Sequence, residues 1–194
     1  NGCSSAANYT LSQPVALGIN LSATPTSGFG ASDGSALATI NGGTGSYSYA
    51  WENAANPGIV ISNSNPATAL EAGTCCVTVT DANACTISSC INVTEPLPLG
   101  VTASGSNVSC FGGSNGSVSA GASGGVPPYS YSWQNSLGVS VGSSISVNNL
   151  TAGTYFVTVT DSNGYTATNS VTIIQPNLFE INSVSITHVN CSGD

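Results

Sequence analysis

The sequence has 194 residues, 40% of them apolar, with eight acidic residues, one histidine and neither lysine nor arginine, for a formal net charge of −8. Binding of nucleic acid by phosphate neutralisation, a Walker-type phosphate lysine and polybasic docking on anionic membranes are all excluded, because each needs a cation this chain lacks. The apolar content is enough for a core, so disorder is not expected, and the surface must be solvated through Ser, Thr, Asn and Gly.

In chain order, Asn1-Gly2-Cys3 and Gln13-Pro14 come first, and both signatures return later. Asn83-Ala84-Cys85 and Asn163-Gly164-Tyr165 repeat the first, and Glu95-Pro96 and Gln175-Pro176 repeat the second. Between them, Gly42-Gly43 to Tyr47, Tyr49 and Trp51 is answered 82 residues on by Gly124-Gly125 to Tyr129, Tyr131 and Trp133. Ala72-Gly73-Thr74 with Val77-Thr78-Val79-Thr80-Asp81 is answered 80 residues on by Ala152-Gly153-Thr154 with Val157 to Asp161. The chain closes on His188-Val189-Asn190-Cys191-Ser192-Gly193, which matches Asn107 to Gly112. The expected organisation is therefore a hairpin piece of a preceding repeat at 1–13, complete repeats at 14–96 and 97–176, and the start of another repeat at 177–194. On that reading the sequence is a stretch of a longer secreted protein. Each repeat ends on a proline with almost no linker behind it, which predicts a semi-rigid rod.

In the second repeat, strands are expected at 98–104, 107–110, 116–122, 129–134, 138–148 (broken), 154–160 and 165–174. The basis is period-two alternation between Gly, Pro and Asn punctuation. No 3.6-residue apolar period is sustained, and no apolar run reaches 18 residues, so neither a helical domain nor direct membrane insertion through a helix is expected. Seven short strands in about 80 residues, with a central tryptophan, predict an all-β chain of tandem immunoglobulin-like β-sandwich repeats.

The ordered residues Cys110-Phe-Gly-Gly-Ser-Asn-Gly116, Gly124-Gly-Val-Pro-Pro-Tyr-Ser-Tyr-Ser-Trp133, Leu150-Thr-Ala-Gly-Thr-Tyr-Phe-Val-Thr-Val-Thr-Asp161, Asn163-Gly164 and Gln175-Pro176 resemble the SprB repeat family of long surface adhesins in gliding Bacteroidota. The resemblance covers almost the whole chain. It implies secretion by the type IX route, a place on the bacterial cell surface outside the outer membrane, and no catalytic residues. Tyr165 and Gly28 stand where the family pattern has cysteines, so a bridge between those positions cannot form in either complete repeat.

Candidate sites are few. Tyr49, Trp51, Tyr131 and Trp133 alternate on single strands and are read as core aromatics before they are read as a sugar platform. Asp81 and Asp161, each followed by asparagine two residues on, are weak candidates for metal binding at hairpin turns. The plainer reading has those side chains satisfying their own backbone. His188 stands alone, and the carboxylates are scattered, so neither a catalytic centre nor a bound cofactor is expected. In the hairpin formed by 74–80 and 85–93, both apolar faces are odd-numbered. A three-residue loop between Asp81 and Cys85 then places Cys76 opposite Cys90 on the outer face, within reach of a disulfide. Cys75 points inward, where the second repeat has Tyr155. Cys85 and Cys110 are not expected to bond to each other.

Together these readings point to a structural and adhesive repeat module of a large surface adhesin or filament, serving attachment or gliding motility. The partners expected are neighbouring repeats, other filament chains, and an extracellular glycan or substratum. The alternative is a passive spacer or a carbohydrate-binding module of a secreted multidomain enzyme.

Overall fold

The computed structural model describes residues 13–181 and 183–184. Every regular element among them is a strand: β1 (Gly18–Thr24), β2 (Gly34–Asn41), β3 (Ser48–Asn53), β4 (Val60–Ser62), β5 (Ala67–Leu70), β6 (Gly73–Thr80), β7 (Thr86–Val93), β8 (Gly100–Ser106), β9 (Gly116–Ser123), β10 (Ser130–Asn135), β11 (Ser140–Gly142), β12 (Ser146–Leu150), β13 (Gly153–Thr160) and β14 (Thr166–Ile173). The chain divides into two compact units at Pro98/Leu99, with Gly124–Val126 grouped with the first.

Each complete repeat contributes seven antiparallel strands in two sheets. The first has a three-stranded sheet in the order β1-β2-β5 and a four-stranded sheet β4-β3-β6-β7; the second has β8-β9-β12 and β11-β10-β13-β14. The chain crosses between the sheets after β2, β4 and β5, and likewise after β9, β11 and β12, as in an immunoglobulin sandwich, with the short strand after the tryptophan strand joined to the four-stranded sheet. The chain is all-β and immunoglobulin-like in both repeats.

The alternation seen in sequence sorts directly into layers. Val77 and Val79 on β6 and Val157 and Val159 on β13 are fully buried, while the threonines between them face out. Trp51 and Trp133 sit at the centre of their respective cores, each paired across the sheet with a valine, Val77 or Val157. Burying an aromatic or branched aliphatic side chain of this size contributes about 1.5–3 kcal/mol. Tyr49 and Tyr131 are half-buried and pack against the cores from the same strand faces. Trp133 donates its indole N–H to Ser144 O at 3.1 Å.

One expectation about strands is corrected. Residues 107–110 are not a strand. Val108 is buried, but its N–H goes to Ile174 O at 3.2 Å, and a turn follows in which Gly113 N–H bonds to Cys110 O at 3.0 Å. Side chains hold this loop: Asn115 Oδ1 accepts Ser109 N–H at 3.1 Å, and Asn107 Oδ1 accepts Ile174 N–H at 3.0 Å. Asparagine here offers the backbone a local partner in place of a ladder. The broken stretch 138–148 is two strands in two sheets, β11 on β10 and β12 on β9.

Candidate functional site at the aspartate hairpins

Three kinds of residue came forward from the sequence, and the structure sets each in a defined environment. The β6–β7 hairpin turns through Asp81, whose N–H donates to Cys85 O at 2.9 Å and whose carbonyl accepts Ala84 N–H at 3.0 Å. Ala84 takes φ 65°, and its counterpart in the second repeat is Gly164 at φ 86°, the residue type that turn favours. The Asp81 side chain is buried. Its Oδ1 accepts the N–H groups of Asn83 and Cys85, both at 2.9 Å, and its Oδ2 accepts Thr44 N–H at 3.0 Å. These bonds, led by that from Thr44, hold its carboxyl below the usual carboxylate range although burial works the other way.

The Thr44 contact joins two segments distant in sequence. Ala82 N–H returns a bond to Thr44 O at 3.2 Å, and Asn83 Nδ2 reaches Thr44 Oγ1 at 2.9 Å. Gly42 and Gly43 precede Thr44 at φ 67° and 66°, and a Cβ on Gly42 would stand 2.0 Å from Ala16 O. Only glycine passes there, with Gly43 N–H bonded to Val15 O at 2.8 Å. A cavity of about 170 Å³ lies beside this knot, bounded by Pro14 to Leu17, Thr44, Asp81 and Cys85. At the second hairpin, Asp161 is likewise buried, and its Oδ1 accepts Asn163 N–H at 3.0 Å and Tyr165 N–H at 2.9 Å.

A carboxylate has about four acceptor sites, and at Asp81 three are taken by backbone donors. That arrangement locks a hairpin to a loop. Among the described residues no three His, Cys, Asp or Glu side chains converge on a common point. His188, Cys3 and Cys191 lie outside the described residues.

Of the candidate aromatic residues the two tryptophans are core, and Tyr49 and Tyr131 are half-buried against it. Trp51 and Trp133 are wholly enclosed, and Tyr47 turns its hydroxyl to Gly42 O at 2.6 Å, which anchors the glycine loop from the other side. Cys76 faces Cys90 in the β6–β7 ladder, the register read from the hairpin, and the two are joined by a disulfide with Cα atoms 4.0 Å apart. Cys75 is a buried thiol, and burial pushes its pKa up. Cys85 and Cys110 are exposed thiols.

One pair of residues escaped sequence reasoning. Glu95 and Gln175, seen only as the lead-in to the closing prolines, each direct a side-chain oxygen at a turn. Glu95 Oε2 accepts Gly30 N–H at 2.7 Å, and Gln175 Oε1 accepts Gly112 N–H at 3.0 Å. The signal available was the oxygen shared by Glu and Gln at a fixed distance before proline.

Two seven-stranded sandwiches with a tryptophan at the centre of each core define a class: tandem immunoglobulin-like repeats. The comparisons bear on the resemblance. The model of the SprB repeat matches residues 20–56 and 102–138, the span from β1 past β3 and its counterpart from β8 past β10. The resemblance read from the sequence is shown in both repeats. No curated protein matches the chain. Among solved structures, the chain is similar to the amphioxus IgVJ-C2 molecule at 19% identity, covering 68% of this chain and 89% of that one with a TM-score of 0.34. It is similar to a Dscam structure addressing isoform specificity at 15% identity, covering 84% of this chain and 47% of that one, TM-score 0.38. A C-terminal fragment of intimin, solved with the intimin-binding domain of its translocated receptor, is similar at 18% identity, covering 79% of this chain and 63% of that one, TM-score 0.41. The chain thus spans less than half of the Dscam structure and under two thirds of the intimin fragment.

Proposed function

We propose that this chain is a structural and adhesive repeat module of a large secreted cell-surface protein, without catalytic activity, that serves attachment or gliding. The observation that carries the reading is the SprB repeat found twice, in units whose outward strand faces bear hydroxyl groups. Thr78 pairs with Ser88 at 2.9 Å, Ser104 with Ser119 at 2.9 Å and Thr154 with Thr172 at 3.0 Å, all on exposed ladders. Such a surface offers hydrogen bonds to a glycan or hydrated substratum without a deep pocket or a charge anchor. Each contact is weak, and many repeats acting together make attachment firm.

The test is valency. Beads carrying many copies of the chain should be retained on polysaccharide-coated glass under flow, while one soluble copy exchanges too fast to hold. Equal retention of beads carrying this chain and beads carrying an unrelated sandwich domain would overturn the adhesive part and leave a spacer.

A further inference from the structure

Residue 75 on β6 and residue 155 on β13 hold the same place in their repeats: each lies inward and pairs with an asparagine across the sheet, Asn53 or Asn135. In the second repeat Tyr155 fills that place. It is 5% exposed, and its hydroxyl donates to Thr151 O at 2.9 Å. Val141 on β11 packs against the core cluster that contains it. A Cβ built on Gly153 would meet the ring at Cε2, 3.9 Å away.

The first repeat has the same walls without the ring. Over Cys75 there is an open pocket of about 300 Å³, lined also by Ile59, Ile61, Leu70, Glu71 and Asn53. A Cβ on Gly73, the counterpart of Gly153, would meet nothing within 4 Å. Ile61 stands where Val141 does, one residue before the position that faces the tryptophan, yet it is 45% exposed. An exposed isoleucine therefore stands over a buried leucine and a buried thiol at the place where the sister repeat has a phenol ring. Glu71 holds the chain position of Thr151, so its carbonyl corresponds to the acceptor of the Tyr155 hydroxyl.

We propose that this cavity is a binding site for a small neutral monocyclic phenol, seated with its ring in the place of the Tyr155 ring and its hydroxyl donating to the Glu71 carbonyl. The pocket opens to solvent past Ile59 and Ile61, so the ring enters from outside, and its volume exceeds the roughly 150 Å³ that holds benzene in an enclosed cavity. The driving force is burial of the ring against Ile61, Leu70 and Cys75, to which the polarisable sulfur adds a favourable contact. The hydroxyl sets the orientation and selects phenols over plain arenes. The Glu71 carboxylate on the same wall opposes anions, so benzoate is disfavoured. This site is independent of the adhesive reading, which concerns the outer faces.

The experiment is a titration of the whole chain with phenol at pH 7, followed by amide chemical shifts. Saturable shifts are expected at Ile61, Leu70, Glu71 and Cys75, with none at Val141, Leu150, Thr151 and Tyr155. Benzoate should bind at least about tenfold more weakly. Cys75→Tyr should abolish the saturable shifts, and the converse Tyr155→Cys should create a second set around Val141 and Leu150. Shifts that never saturate, that appear equally in both repeats, or that survive Cys75→Tyr would overturn the proposal. If Cys75→Tyr does not fold, Tyr155→Cys decides alone, and the absence of a new set of shifts refutes the site.

Discussion

Asp81 shows how one side chain can be read in two ways from sequence and in one from geometry. Its three accepted N–H bonds favour the charged form, with the Thr44 bond the largest cause of its lowered pKa. A folded pKa below the unfolded one means that the unfolded chain binds the proton more readily. The stabilisation is therefore complete above the unfolded value, about 3.9, and is lost as pH falls through it toward the folded value. The first repeat should keep its melting temperature between about pH 7 and 5 and lose it below about pH 4. Asp81→Asn should lower the melting temperature at neutral pH, because the amide keeps one acceptor for Asn83 and Cys85 but turns an NH₂ toward the Thr44 N–H. It should also flatten the acid decline. Asp33, whose carboxyl is held down by bonds from Ser27, leaves a residual slope. Calorimetry across that pH range checks this, and an unchanged acid slope in the variant would remove Asp81 from the role.

At the level of the hairpin, period-two alternation was sufficient to set register, because a slip by one residue would turn Val77 and Val79 outward. Five of the seven strands of the second repeat, the buried tryptophans and the inward Cys75 were legible for the same reason. The stretch 107–110 was not, since Val108 is buried without being in a ladder, and burial alone mimics half of a strand pattern. Nor were the bonds by which side chains stand in for backbone. In the first repeat Asn65 pairs with both N–H and O of Ala38, at 2.9 and 2.7 Å, where in the second the main chain of Ile145 bonds Ala120 N–H at 2.9 Å. No periodicity reports a side chain acting as a strand. The cavity at Cys75 was half legible: the substitution of Cys for Tyr is in the sequence, but whether neighbours collapse into the gap is a matter of packing. The two repeats also differ on the outer face of this hairpin. Cys76 and Cys90 stand where the second repeat has Phe156 and Ser170. Closing a loop of about 15 residues stabilises by about 3 kcal/mol. Replacing both cysteines by serine should cost the first repeat about that amount and leave the second unchanged. Urea denaturation of the wild type and the double variant, with a probe in each repeat, measures it. An unaffected first repeat would show that the strap adds nothing to the ladder beneath it.

Across the whole molecule the absence of lysine and arginine governs the response to salt. Eight carboxylates with no basic side chain other than His188 leave almost no attractive ion pair to weaken and only mutual repulsion to screen. The Debye length shortens from about 30 Å at 0.01 M salt to about 8 Å at 0.15 M, so added salt relieves repulsion between carboxylates on neighbouring turns. The melting temperature should hold or rise slightly over that range at neutral pH. A protein stabilised by surface ion pairs shows the opposite sign. The same reasoning extends to the proposed attachment. Contacts made by hydroxyls and amides are insensitive to screening, whereas a contact resting on charge weakens with salt. Bead retention on a neutral polysaccharide should therefore be unchanged between low and physiological salt, and on an anionic one it should increase as repulsion is screened. Both are read in one flow experiment alongside thermal scans. A melting temperature that falls with salt would point to a charge attraction that this composition gives no means to build. Retention on the neutral surface that falls with salt would mean that the carboxylates, and not the hydroxyl ladders, make the contact.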